Sequence, residues 1–365
     1  MTALVLAVAL AATAPGMRTG LPPAPRELYR FAWQRTVVAP QALEWKPREP
    51  GGVAVDPASG IVVFGTRDGW LHALRDDGRV AWELKTEGGF SGPPAIEGDT
   101  VYAGSSDGRL YAVALATGKE RWRYDAKEEL GTRPAVVAGT VYVASLQDTV
   151  FALDAKTGAW KWHHRREAHP GFTIRGAAPV QVRAGTVYAA YSDGFVAALD
   201  AATGSARWER MVAPAGDELD VDGLAVEGDR VYAAAYSGAV LALDAASGAT
   251  RWSFDAPGAV RLALAPGGTL VAVATAGVYA LSAQDGKVLW SSRLDGGVPS
   301  GEPVVAGAWV LVPAGAGGLR WLEASSGRLM RVLDPGSGVS GTPAVVDRRV
   351  YVLSNRGDLY ALDLS

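Results

Sequence analysis

The sequence predicts an all-β fold, an eight-bladed β-propeller whose four-stranded antiparallel blades are closed into a ring by the N-terminal strand. Three observations lead to this prediction: a repeat of about 40 residues, strands that are apolar on both faces, and a chain of 365 residues, which is long for one hydrophobic core. A propeller explains all three, because each blade packs between two neighbours and no single large core is required.

The repeat is marked by a tight turn and, four residues after the glycine of that turn, by a tryptophan. Residues 117–122 read TGKERW, and the chain repeats this as TGAWKW, TGSARW and SGATRW, with looser copies in DGRVAW and DGKVLW. A further copy, SGRLMR, has Arg331 at the tryptophan position. We expect the repeat tryptophans to be buried structural residues, and they are Trp33, Trp82, Trp122, Trp162, Trp208, Trp252 and Trp290.

Each copy of the repeat contains four short strand patterns. In the third copy these are PAVV, TVYVAS, TVFALD and the segment around Trp162, separated by polar or glycine-containing turns. In the turn LDAKTG, Asp154 is expected to accept backbone N–H groups, and Gly158 to adopt the positive φ that closes the turn. Strands such as VYVAS and VYVLS have no polar face, which indicates a sheet covered on both sides.

The number of strand pairs predicts eight blades. The last copy ends in YALDLS, one strand short, and the N-terminal segment LYRFAWQRTVV carries Trp33 at the tryptophan position. Pairing that segment with the last copy closes the ring and leaves no open edge at the seam. We therefore expect residues 28–365 to form a single propeller domain. The strand pairs begin near Ile61, Val101, Val141, Val187, Val231, Leu270, Val310 and Val350.

Residues 1–20 are predicted to be a signal-peptide-like segment and linker. They begin with MTALVLAVALAATA, which is too short to cross a bilayer as a helix but is typical of a signal-peptide core. Ala12, Thr13 and Ala14 provide an A-x-A cleavage step. The segment therefore predicts export from the cytoplasm.

Composition argues against several classes of function. The net charge is −3 with acids and bases interleaved, so no basic surface is available for nucleic acid. The chain has no cysteine, which removes disulfides, thiolate metal sites and cysteine nucleophiles. Neither a G-x-S-x-G motif nor a phosphate-binding loop is present. We expect no catalytic residue, no cofactor and no small-molecule substrate.

Two sequence patterns make a metal-binding site an alternative interpretation. Of the four histidines, His72 is isolated, and His163, His164 and His169 lie in WHHRREAHPGF. Adjacent strand residues point to opposite faces, so a solvated basic loop between blades is the favoured interpretation. The segment DVDG (residues 220–223) is similar to the start of a calcium loop but lacks the later glutamate. We therefore predict no metal site.

The connection VAPAGDELDVDG (residues 212–223), between blades four and five, is the candidate partner-binding segment. Its acids alternate with Leu219 and Val221, so apolar tips could dock while carboxylates provide charge complementarity; an ordinary long loop is the alternative. A second long connection, RREAHPGFTIRG (residues 165–176), is expected on the same side of the ring one blade earlier. Together they predict a patch across blades three to five. The candidate residues are Asp217, Glu218, Leu219, Asp220, Val221, Asp222 and Arg175.

The pattern VYALDA-TG---W resembles the PQQ-like repeat of quinoprotein propellers, and the likeness extends from Leu28 to Leu364. Within that class the chain resembles the outer-membrane protein assembly factor BamB family in its length, its eight blades and its N-terminal closing strand. The stretch from Asp217 to Trp252 and the blade-seven segment LRWLEASSGRL, which lacks the tryptophan, carry the more specific likeness.

The resemblance implies a non-catalytic scaffold at the periplasmic face of the outer membrane. BamB proteins belong to the BAM machinery, which folds and inserts β-barrel proteins, and they bind the POTRA domains of its central subunit BamA through loops on one side of the ring. The implied partners are BamA-like POTRA domains and unfolded outer-membrane proteins. BamB is typically a lipoprotein, but this sequence has no lipobox cysteine, so lipid anchoring is not supported.

Two alternatives stay open. One is a periplasmic binding or sensor propeller with another partner. The other is a PQQ-dependent quinoprotein dehydrogenase, in which the cofactor lies on the ring axis with a calcium ion and an aspartate base. Such enzymes are generally longer, with insertions that build the pocket, and some stack the cofactor on a vicinal cysteine pair, which this chain lacks. The scaffold is the favoured interpretation.

Overall fold

The computed structural model describes residues 27–38, 48–166, 178–213, 220–294 and 298–365. Within these residues all regular secondary structure is β-strand, and no helix is long and apolar enough to cross a bilayer. The signal peptide expected in residues 1–20 lies outside the described residues and stays a prediction.

The described residues form eight antiparallel sheets of four strands, which are the blades of the ring. Blades one to four consist of β2 (Val53–Val55), β3 (Val62–Gly65), β4 (Trp70–Leu74) and β5 (Val80–Lys85); β6 (Ala95–Glu97), β7 (Thr100–Gly104), β8 (Arg109–Ala114) and β9 (Glu120–Asp125); β10 (Ala135–Val137), β11 (Thr140–Ala144), β12 (Thr149–Asp154) and β13 (Trp160–Arg165); and β14 (Gln181–Arg183), β15 (Thr186–Ala190), β16 (Phe195–Asp200) and β17 (Ala206–Met211).

Blades five to eight follow in chain order, and the last of them includes the N-terminal strand. They consist of β18 (Val221–Glu227), β19 (Arg230–Ala235), β20 (Ala239–Asp244) and β21 (Thr250–Asp255); β22 (Ala259–Ala265), β23 (Thr269–Ala274), β24 (Gly277–Ser282) and β25 (Val288–Arg293); β26 (Val304–Ala306), β27 (Trp309–Pro313), β28 (Leu319–Glu323) and β29 (Leu329–Leu333); and β30 (Ala344–Val346), β31 (Arg349–Leu353), β32 (Asp358–Leu364) and β1 (Tyr29–Thr36). The predicted all-β, eight-bladed propeller is therefore confirmed.

The ring is closed by β1, which pairs with β32 as the fourth strand of blade eight. Trp33 lies opposite Ala361, just as Trp162 lies opposite Ala152 in blade three. The two chain ends meet where the N–H of Ser365 donates to the carbonyl oxygen of Leu28 at 3.1 Å. This closure gives blade eight its fourth strand and covers the outer edge of β32 at the seam.

The hydrophobic core is divided among the contacts between neighbouring blades. The second strand of blade three, Thr140–Ala144, is buried along its whole length, as expected for strands that are apolar on both faces. One buried cluster joins Tyr142 and Trp162 of blade three to Val187 and Leu199 of blade four. Because equivalent clusters recur around the ring, each blade is stabilised mainly by its two neighbours.

The turn of the repeat forms as its sequence predicts. The carboxylate of Asp154 accepts hydrogen bonds from the backbone N–H groups of Lys156 (3.1 Å) and Thr157 (2.9 Å). Gly158 has a φ of 73°, a left-handed conformation that favours glycine. The turn thus brings the third and fourth strands together at the outer part of the blade.

We call the side of the ring that carries the links from each fourth strand to the next first strand, such as residues 126–134, the upper rim. Since strands alternate in direction, the hairpins between first and second strands and between third and fourth strands lie on the opposite side, the lower rim. The two connections singled out by the sequence both belong to the upper rim.

Candidate functional site

Each repeat tryptophan joins its own blade to the following one. The indole N–H of Trp162 donates to the carbonyl oxygen of Ala201 at 3.1 Å, and the hydroxyl of Tyr142 donates to the same oxygen at 3.0 Å. A Cβ atom on Gly204, in the turn of the following blade, would lie 2.6 Å from the Trp162 ring. The glycine of one blade is therefore required both by its own turn and by the indole of the preceding blade.

The same indole hydrogen bond is present for all seven repeat tryptophans. Four of the rings are buried, and those of Trp33, Trp208 and Trp252 are half-buried. The pairs are Trp33 with Asp76 (2.6 Å), Trp82 with Leu115 (2.6 Å), Trp122 with Ala155 (3.1 Å), Trp162 with Ala201 (3.1 Å), Trp208 with Ala245 (3.0 Å), Trp252 with Ala283 (3.2 Å) and Trp290 with Ala324 (2.8 Å).

The missing tryptophan of blade seven has a structural explanation. A blade-seven indole would have to pack on the turn between the third and fourth strands of blade eight, but those strands belong to opposite ends of the chain. No such turn exists there, and Arg331 instead lies over the ring of Tyr29, 5.1 Å from its centroid. Tyr29 in turn packs on Trp321 at 4.9 Å. The arginine therefore marks the seam of the ring.

The predicted partner-binding residues divide into two groups. Asp217, Glu218, Leu219 and Arg175 lie outside the described residues. Asp220, Val221 and Asp222 are buried, with exposed fractions of 0%, 1% and 7%, because the first strand of blade five begins at Val221. These three residues anchor the end of the connection between blades four and five, and their role in partner binding stays a prediction.

Asp222 is held in a low-dielectric environment beside a cation. Burial raises its pKa to about 6, while Arg261 of blade six opposes the increase and Asp220 adds to it. The guanidinium of Arg261 donates to the backbone carbonyl oxygens of Asp222 (3.3 Å) and Ser300 (3.2 Å). Arg261 therefore joins blades five, six and seven near the ring axis.

We predict that Asp222→Asn stabilises the protein at neutral pH. The folded-state pKa lies above the unfolded value, so the folded chain binds more protons between about pH 4 and pH 6, and stability falls as the pH rises through this window. The amide removes the buried charge, and we expect about 2 kcal/mol of added stability at pH 7 and a flatter pH dependence. Urea unfolding at several pH values measures both. Equal slopes for variant and parent would contradict the prediction.

A second anchor holds the connection between blades three and four. Arg166, the last described residue before that connection, bonds to the carboxylates of Asp193 (2.7 Å) and Glu209 (2.7 Å) and lies 4.1 Å from the ring centroid of Phe195. Next to it, the backbone N–H of Ser192 donates to Asp148 at 2.8 Å. Sequence reasoning missed this cluster because its members are far apart in the chain. The upper rim of blades three and four is thus a fixed polar platform.

The ring axis opens into a central cavity of about 650 Å³ lined by first-strand segments of the blades. Arg133 of blade three and Glu302 of blade seven approach to 3.7 Å there, so an ion pair spans opposite sides of the ring. In the described part of the chain no three His, Cys, Asp or Glu side chains come close enough to hold a metal ion. The axis therefore presents the ion pair of Arg133 and Glu302 within a lining that mixes polar and apolar groups.

The histidines that make a metal site an alternative in the sequence have different neighbours in the structure. The ring of His163 lies 5.9 Å from that of Trp160, whereas Nδ1 of His164 lies 3.0 Å from the hydroxyl of Tyr191. His72 is buried, with Nδ1 2.9 Å from a Glu83 carboxylate oxygen. His169 lies outside the described residues. The three described histidines therefore have different neighbours, and none of them belongs to a group of three side chains that could hold a metal ion.

The fold, the interlocked tryptophan and glycine repeat and the N-terminal closing strand define an eight-bladed propeller of PQQ-like repeats. The chain belongs to the outer membrane protein assembly factor BamB family, whose model matches residues 30–126, 67–292 and 274–365. No curated protein sequence matches the chain.

Solved structures share the fold at low sequence identity. BamB from Moraxella catarrhalis is 23% identical with a TM-score of 0.79, and the match covers 92% of this chain and 100% of that one. The computationally designed Ika8 protein is 18% identical with a TM-score of 0.69, covering 88% and 98%. A quinohemoprotein alcohol dehydrogenase from Pseudomonas putida HK5 is 14% identical with a TM-score of 0.74, covering 92% and 76%. The likeness thus extends to an assembly factor, a design and an enzyme.

Proposed function

We propose that this protein is a non-catalytic scaffold subunit at the periplasmic face of the outer membrane. It assists the folding and insertion of β-barrel proteins by binding the POTRA domains of a BamA-like subunit. The observation that carries the proposal is the match of the BamB family model, which extends from residue 30 to the last blade. The described blades also lack the large insertions that would build a substrate pocket over the axis.

The upper rim of blades three to five is the proposed contact surface. Two of its connections leave from fixed points, Arg166 on one side and the buried pair of Asp220 and Asp222 on the other. Fixed attachment points reduce the conformational entropy that binding to a partner costs. We assign the direct contact to residues 217–219, which directly precede Asp220 in the chain, and to Arg175, which follows Arg166 in the connection between blades three and four.

The test is recovery of a POTRA-containing barrel protein from native membranes by the tagged mature chain. We expect the parent to recover it and the variant Asp217→Ala/Glu218→Ala/Leu219→Ala to recover about tenfold less, because a few central residues carry most of the binding energy of an interface. The matched control, Glu227→Ala/Asp229→Ala, removes two acids from the lower rim of the same blade and should bind like the parent.

The outcomes separate the function from the site. Equal recovery by the parent and the upper-rim variant would keep the function and move the contact elsewhere. Failure of the parent to recover any POTRA protein under gentle crosslinking would reject the proposed function and favour a propeller with another partner.

A further inference from the structure

Among the described residues, the central cavity is lined by one charged pair and no other charged side chain. Its volume is about 650 Å³, and its charged lining residues are Arg133 and Glu302. Gln181 and Thr342 add polar side chains, and the other lining residues are valine, leucine, isoleucine, alanine and proline. The cavity is therefore neutral overall, with its cation and its carboxylate side by side.

The pair lies at the inner end of the cavity, which opens on the lower rim. Arg133 and Glu302 come just before the first strands β10 and β26, at the strand ends nearest the upper rim. From there the lining extends to Pro266, in the hairpin between the first and second strands of blade six. Above the pair the axis narrows to a cavity of about 70 Å³. A ligand therefore reaches the pair from the lower rim.

The two charged residues are held in place but keep bonding capacity. The backbone N–H of Glu302 donates to the hydroxyl of Thr342 at 3.0 Å, and the hydroxyl of Thr132, next to Arg133, donates to the carbonyl oxygen of Ala144 at 2.9 Å. The charged groups are 3.7 Å apart, which is longer than a hydrogen bond, and their side chains are 47% and 23% exposed. The guanidinium and the carboxylate can therefore each accommodate a ligand group.

The cavity walls also supply backbone donors and acceptors. Within the described residues, the first strands β6, β10 and β14 pair on one side only, with β7, β11 and β15. Their inner edges direct N–H and C=O groups toward the axis, where water or a ligand must satisfy them. A ligand that both donates and accepts hydrogen bonds matches this lining better than a hydrocarbon does.

We propose that the axial cavity binds a zwitterionic α-amino acid with an apolar side chain. The carboxylate of the ligand lies beside the guanidinium of Arg133 and its ammonium beside the carboxylate of Glu302, so the two dipoles are antiparallel. The ammonium and the carboxylate of an α-amino acid are about 3 Å apart, close to the 3.7 Å of the protein pair. The apolar side chain then lies against wall residues such as Val226 and Leu264.

Charge and depth separate this ligand from the other candidates. A fatty acid places a like charge next to Glu302, and an amine does the same to Arg133. A ligand with several carboxylates meets a single cation. A zwitterionic lipid headgroup has suitable charges, but the three residues of β10 or β26 place the pair about 10 Å inside the ring, beyond a headgroup held in a bilayer. A free amino acid satisfies both conditions.

The experiment is isothermal titration calorimetry of the full mature chain with three ligands of similar shape. They are leucine, 4-methylpentanoate, which lacks the ammonium, and 3-methylbutylamine, which lacks the carboxylate. We expect saturable binding of leucine and at least about tenfold weaker binding of the other two, a difference of about 1.4 kcal/mol. Glycerophosphoethanolamine, the zwitterionic headgroup, should also bind more weakly than leucine.

Variants of the pair test the assignment of each charge. Arg133→Gln and Glu302→Gln should each weaken leucine binding about tenfold. The double variant Arg133→Glu/Glu302→Arg exchanges the two charges and should bind leucine more tightly than either single variant, because the ligand can reverse its orientation. The matched control, Arg328→Gln, removes a cation from an exposed ion pair of 3.5 Å outside the cavity and should bind like the parent.

Each outcome decides the proposal. No saturable binding of leucine by the folded parent, equal binding of the three ligands, or unchanged binding by both glutamine variants would overturn it. Tighter binding of glycerophosphoethanolamine would overturn it in favour of a lipid headgroup. The POTRA recovery assay should be unchanged for Arg133→Gln, because the cavity opens on the lower rim and the proposed contact surface is on the upper rim. Failure of the amino-acid site and failure of the proposed function are therefore distinguishable.

Discussion

Trp162→Ala is expected to lower the free energy of unfolding by about 3–5 kcal/mol. The ring is 5% exposed and packs in the cluster between blades three and four, so its removal leaves a cavity that the flanking sheets cannot close. It also removes one donor to the carbonyl oxygen of Ala201. Urea unfolding followed by far-ultraviolet circular dichroism measures the change without relying on tryptophan fluorescence.

Two controls define the cause of that loss. Trp160→Ala removes the same side chain two residues earlier on the same strand, where it is 54% exposed, and should change stability by less than about 0.5 kcal/mol. Trp162→Phe keeps most of the apolar contact, and Tyr142 still donates to Ala201, so about 1–2 kcal/mol should be lost. Similar losses for Trp160→Ala and Trp162→Ala would show that the tryptophan does not act by joining blades.

A chain that begins at Arg48, and so lacks the closing strand, is expected not to fold to a stable monomer. Loss of β1 leaves the edge of β32 unpaired and uncovers Trp321. It also removes the hydrogen bond from the indole of Trp33 to the carbonyl oxygen of Asp76. We expect more than about 5 kcal/mol of lost stability, comparable with the whole stability of a typical domain. Size-exclusion chromatography and thermal unfolding report the result.

A circular permutant is the matched control for the closing strand. Residues 27–38 are moved to follow Ser365 through a short turn, which the contact between Ser365 and Leu28 allows. The permutant restores every strand pair of blade eight and should unfold within a few degrees of the parent. If the truncated chain unfolds at the same temperature as the parent, closure by the N-terminal strand contributes nothing and this account of the seam is wrong.

The sequence could predict the architecture because its signals are local and repeated. The turn and tryptophan recur in register with apolar strands, and the short last copy identified β1 as its missing strand. The contact between Gly204 and Trp162 of the preceding blade could not be predicted in the same way, because it depends on how blades are oriented around the ring. For the same reason, Arg331 could be recognised as a departure from the repeat but not explained.

The candidate site was less predictable than the fold. Alternation of acids and apolar residues up to Asp222 predicts a docking connection, whereas Asp222 lies in a buried strand beside Arg261 and Asp220 is buried immediately before that strand. A buried carboxylate next to a cation and an exposed acidic loop share one local pattern, and only tertiary packing separates them. The cluster around Arg166 was missed because RRE resembles an ordinary solvated charge run.

The central claim, a scaffold that binds POTRA domains through its upper rim, is tested most directly by titrating the purified mature chain against a purified POTRA-containing barrel protein in detergent. We predict saturable binding that is weakened about tenfold by Asp217→Ala/Glu218→Ala/Leu219→Ala and unchanged by the lower-rim control Glu227→Ala/Asp229→Ala. Absence of saturable binding by the parent chain, with a correctly folded ring, would contradict the claim.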